Sequence, residues 1–204
     1  CLILERAAVT MNLLIAGLIL FLGMHSARFL FPALKQGLTE RLGPMGWKGV
    51  YSLVSITGFV LIVIGYGQAR LTPVWLWFPP VWLNHVTALL VLIAFIFLTA
   101  TYVPGNRFKA MVGHPMLIGT KTWAFAHLLS NPTLADLLLF GGFLVWAVIL
   151  YRVCRKADKA AGVTYPKLGV GRDILTLVIA VAAYVIFAVW LHALLIGVAP
   201  MGRA

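Results

Sequence analysis

Apolar residues run through this chain in long unbroken blocks, separated by short stretches that are basic or rich in proline and tryptophan. Blocks of about 20 apolar residues have the length of a membrane-crossing helix, and continuity rather than period-two alternation selects helices over barrel strands. The pattern predicts six: Asn12 to about Phe31, stopped by Pro32; Lys48 to Ala69; Leu83 to Val103; His114 to Ser130; Thr133 to Val153; and Asp173 to Gly197. The fourth is the shortest and carries Lys121. Pro115 just inside it, and Thr133 followed three residues later by Asp136, are helix-start signals. The predicted fold class is an all-α integral membrane protein, a bundle of about six transmembrane helices.

Composition agrees: 62% of the residues are hydrophobic and only 10% charged, against about a quarter in soluble domains. Charge then adds an orientation. With six crossings, the connections around Arg28 to Lys48, Arg107 to Lys121 and Arg152 to Arg172 share one side and hold 13 of the 16 Lys and Arg residues. Basic connections face the cytoplasm, so both termini are expected on the non-cytoplasmic side of a bacterial inner membrane. The net charge of +11 thereby reads as a topology signal, with the lipid bilayer as partner and no nucleic acid. The tryptophan cluster from Trp75 to Trp82 fits an outer aromatic belt. The first segment lacks a small-residue cleavage site, which favours a retained helix over a signal peptide. Residues 1–11 read as an N-terminal extension or tag remnant, and 12–204 as one membrane domain. Cys1 and Cys154 form no framework and no haem-attachment motif.

Polar residues inside the membrane are costly and point to function. Asp136 and Asp173 sit at helix starts, where capping and the helix dipole account for them, and no carboxylate is expected mid-membrane. This weighs against a proton pump. Histidines are the reverse case: His25 and His127 lie deep in the first and fourth helices, whereas His85, His114 and His192 lie near helix ends. Imidazole is a common metal and haem ligand, and the bland alternative is an interhelical hydrogen bond. His114 and His127 differ by about 220° in phase and about 19 Å in rise, so they cannot grip one metal from the same helix. A bis-histidine haem would need His127 and a histidine of another helix, and His25 is the other deeply placed one. His127 shares its stripe with Trp123, and His114 its face with Lys121. Arg28, one turn after His25, is positioned for a haem propionate; Lys121 could serve likewise, and snorkelling is the alternative for both. Gly17, Gly58, Gly65, Gly141 and Gly142 suit close helix packing.

At these residues the chain resembles the NnrU family of bacterial membrane proteins, from about Leu13 to His192. The matching segments are Leu20 to Ser26 (LFLGMHS), Trp47 to Ser55 (WKGVYSLVS), Tyr102 to Arg107 (YVPGNR), Gly113 to Leu117 (GHPML) and Trp123 to Leu129 (WAFAHLL). The resemblance implies a link to nitrite and nitric oxide respiration, with other membrane or respiratory proteins as partners. The family is similar to the 15-cis-ζ-carotene isomerase, a haem b membrane enzyme whose proposed haem-ligand histidines fall on His25 and His127. Haem b is therefore the expected cofactor, with His25 and His127 as iron ligands and Arg28, Trp123 and His114 as further candidates around it. Where the isomerase has a cysteine implicated in ligation, this chain has Ala124, a departure that bears on isomerase activity. The open alternatives are haem-dependent isomerisation of a carotenoid or other polyene, and a structural or assembly subunit without cofactor. A fainter similarity of Gly113 to Gly119 to the isoprenylcysteine methyltransferases lacks their arginine, tyrosine and downstream glutamates.

Overall fold

The computed structural model describes residues 2–200, except for the side chains of residues 2–10, Arg28 and Leu30. The proposed role of Arg28 thus lies outside what is described, while the backbone of residues 2–11, expected as an extension, is the start of a helix. The described residues are helical, with one isolated β-bridge and no strand. Among the described residues four helices are long and apolar enough to cross a membrane: Pro32–Ala69, Leu83–Tyr102, Leu134–Ala160 and Val170–Ile196. The described apolar stretch Met11–Ala27 is shorter. The protein is a multi-pass helical membrane protein. Its chain divides into two compact units, residues 1–77 with Pro132–Gly142, and residues 78–131 with 143–204.

In the first unit, helix α1 (Leu2–Leu30) packs along α2 (Pro32–Ala69). Glycine sets the spacing. A Cβ on Gly17 would stand 2.6 Å from the Ile62 nitrogen, one on Gly58 2.7 Å from the Phe21 nitrogen, and one on Gly65 2.5 Å from the Leu14 nitrogen. Backbones approach this closely only where side chains are missing, as expected for these three positions. Gly141 and Gly142 differ, since a methyl group there would make ordinary contacts at 3.7 Å.

The stretch expected to be a loop before Lys48 is helical instead. Pro32 occupies its first turn, where a missing N–H costs nothing, and Gln36 donates to Glu40 one turn on at 2.8 Å. The two arms of α2 meet at Gly43, whose φ of +73° is accessible to glycine at no steric cost, with Pro44 immediately after it. The first unit is completed by a two-rung bridge: Leu76 N–H donates to the Pro132 carbonyl and Leu134 N–H to that of Val74, both at 2.9 Å. Next to it, Thr133 and Asp136 form the capping box expected at a helix start. Thr133 N–H and Oγ1–H donate to Asp136 Oδ2 at 3.0 and 2.6 Å, and Asp136 N–H donates to Thr133 Oγ1 at 3.2 Å. Tyr66 from α2 adds a 2.6 Å bond to Asp136 Oδ1, so the buried carboxylate is well supplied with donors.

In the second unit, α3 (Leu83–Tyr102) packs on α5 (Pro115–Ser130) and on α7 (Val170–Ile186). Between α3 and the short α4 (Arg107–Val112), the fully buried Asn106 closes a turn. Its Nδ2 donates to the carbonyls of Ala100 and Val103, and its Oδ1 accepts from Lys109 N–H at 2.7 Å. Arg107 follows, pairing with Asp173 at the start of α7 through its backbone N–H (2.7 Å) and Nε (3.3 Å). Helix α6 (Leu134–Ala160) begins in the first unit and continues in the second. After α7 come a π-helical turn, Phe187–Leu191, and the short α8 (His192–Ile196).

Candidate functional site

His25 sits in α1, where its Nδ1 lies 2.7 Å from the Phe21 carbonyl oxygen four residues back. A carbonyl only accepts, so Nδ1 carries the hydrogen and Nε2 the lone pair. Among the described residues, nothing hydrogen-bonds that Nε2. The ring is packed between Phe21, 4.2 Å away by centroid, and Tyr51 of α2 at 5.5 Å. It lines a cavity of about 230 Å³ with Met24, Phe29, Lys35, Trp47 and Tyr51. One turn beyond Tyr51, Ser55 Oγ is buried without a hydrogen-bond partner among the described residues, a cost of about 1–3 kcal/mol in an apolar setting.

His127 repeats the arrangement in the second unit. Its Nδ1 lies 2.9 Å from the Trp123 carbonyl oxygen, again four residues back, and its ring stands 5.2 Å from the Trp123 indole. Trp123 is itself set edge-on to Phe143 of α6 at 5.6 Å. The stripe expected for His127 and Trp123 is therefore a direct contact. Ala124 is fully buried.

His114 is placed differently. It takes the cap position before α5 without capping it through its side chain, and its Nε2 meets Asp158 Oδ2 at 2.8 Å. The same oxygen accepts from Tyr165 O–H at 2.8 Å and Arg155 Nη1 at 3.3 Å. Tyr165, in the connection after α6, is pushed up to about 12 by burial and by the bond to Asp158. Nearby, Tyr151 O–H donates to the Val112 carbonyl at 3.0 Å, and the Lys121 ammonium lies 5.5 Å from the Tyr151 ring centroid. Lys121 thus packs against α6 through Tyr151. Among the described residues no three His, Cys, Asp or Glu side chains gather as a metal site. Taken one at a time, each deep ring is held by its own helix in the tautomer that leaves Nε2 the basic nitrogen, as an axial haem ligand requires.

The family model described as NnrU protein matches residues 13–200. The chain belongs to the NnrU family. No curated protein and no solved structure gives a match. Within this NnrU chain the resembling segments have distinct structural jobs. LFLGMHS carries His25 and the Phe21 that meets Gly58; WKGVYSLVS supplies Trp47, Tyr51 and Ser55; YVPGNR is the Asn106 turn; GHPML brings His114 to Asp158; and WAFAHLL holds Trp123 and His127. Three residues around the sites escaped the reading of the sequence. Lys35 looked like one charge of a basic connection, and Asp158 and Tyr165 like parts of another. The i, i+3 spacing of Arg155 and Asp158 was the local sign of an ion pair, but the partnership with His114 crosses 44 positions.

Proposed function

We propose that this NnrU protein is a bacterial inner-membrane protein that binds haem b through His25 and His127 and supports nitrite and nitric oxide respiration. The reading is carried by the ring geometry, since each Nδ1 donates to the carbonyl four residues back and each Nε2 holds the lone pair. Second-shell bonding of this kind fixes ring orientation and raises ligand basicity. Trp123 limits rotation of the His127 ring, and Phe21 and Tyr51 that of His25. Haem held by these two histidines would supply a redox-active iron, and release of one histidine would open it to nitric oxide. The respiratory role rests on the family resemblance. With α1 and α5 counted as crossings there are six, and the 13 basic residues of three connections then lie on the cytoplasmic side with both termini opposite.

The test is spectroscopic. Protein expressed with ample haem and purified in detergent is expected to show a Soret band, and His25→Ala and His127→Ala are each expected to lose it. No band in the wild type, or an undiminished band in both variants, overturns the assignment. With the band present, a spectral shift on adding nitric oxide supports the respiratory reading. Turnover of a cis-polyene to its trans isomer would move the protein to the isomerase class.

A further inference from the structure

Lys35 shares the His25 cavity with three aromatic rings, yet no described residue pairs with its ammonium. The nearest acid in sequence, Glu40, is bonded to Gln36, and α2 has no acidic residue in its first turn. Among the described residues, this lysine beside aromatic walls, next to a histidine with an unengaged Nε2, has neither a counter-ion nor an acceptor. The cavity also has a telling size. About 230 Å³ falls below the roughly 300–1,000 Å³ of pockets that enclose whole ligands, so it suits the edge of a larger, flat molecule. An edge that satisfies the site must be apolar over most of its surface, meet an imidazole nitrogen and end in an anion.

We infer that Lys35 is the carboxylate-binding residue of the His25 cavity and grips a haem propionate. The inference rests on the haem reading and deepens it. It assigns the propionate contact to α2, the helix packed against the one that carries His25. A charge-assisted bond from ammonium to carboxylate, partly shielded by Trp47 and Tyr51, is stronger than the same lysine reaching into water.

The experiment is a chemical cycle. Wild type, Lys35→Gln and Lys35→Arg, prepared haem-free in detergent, are titrated with haem b and with its dimethyl ester, and affinity is read from the Soret band. Lys35→Gln is expected to weaken haem b binding about tenfold and leave ester binding unchanged, and Lys35→Arg to retain most of the haem affinity. The ester serves as the control for folding of each variant. Equal losses for both ligands, or none for either, overturn the inference, because the lysine would then be structural or solvated. If haem binds and His25→Ala abolishes it while Lys35 shows no preference for the free acid, the inference alone falls. If the wild type binds neither ligand, the haem reading falls with it.

Discussion

His25 and His114 sit in different units and use the same side chain in opposite ways. His25 gives its one N–H to its own helix, which leaves the lone pair on Nε2. His114 gives its Nε2–H to Asp158, a carboxylate also bonded by Arg155 and Tyr165, so the ring is committed to joining the start of α5 to the end of α6. The acceptor makes the difference: a backbone carbonyl within the same helix leaves the far ring nitrogen its lone pair, whereas a distant carboxylate fastens one helix to another. His127 belongs with His25 on this criterion.

The contrast can be broken most directly by exchanging the effects. Removing His25 or His127 should abolish the Soret band with little change in thermal unfolding, whereas Asp158→Ala should leave the band and lower stability. A band that vanishes in Asp158→Ala without unfolding would put the Asp158 cluster among the ligand-holding residues. Next in size is Gly58→Val, which forces a side chain into the 2.7 Å approach to Phe21 N and should destabilise the α1–α2 unit by about 3 kcal/mol, measured by chemical denaturation in detergent. It should reduce haem occupancy through His25 while sparing the Asp158 cluster. Asp158→Asn follows, expected to cost about 2 kcal/mol because His114, Arg155 and Tyr165 lose a charged acceptor. The smallest effect is one of pH. Tyr165 is raised in the folded protein from 10.0 to about 12, so folding favours its neutral form. Its contribution is complete below pH 10 and drains away as the pH climbs from 10 towards 12. In Tyr165→Phe that alkaline component of the unfolding curve should be missing.

Much of this was legible in local pattern. The Thr133 and Asp136 capping box, the Gly17, Gly58 and Gly65 seam, and the pairing of Trp123 with His127 follow from spacings of three and four, which a helix converts directly into contact. The helix over residues 32–42 was not, because its polar residues read as a loop and its i, i+4 pair is a weak signal. Asp158 fell within a basic connection, and its acceptor role was hidden because it depends on His114, 44 positions away. Lys35 was hidden for the same reason: only the pairing of α1 with α2 puts it in the company of His25.

The break at Gly43 also bears on how the protein fits its bilayer. A straight rod of 38 residues would measure about 57 Å, nearly twice the ~30 Å of hydrocarbon it must cross. By turning at Gly43 and Pro44, α2 separates a segment whose length is dictated by membrane thickness from one whose length is not. Additions or losses before the turn change the size of a surface element, whereas those after it would have to be absorbed by tilt or by a thinner or thicker membrane.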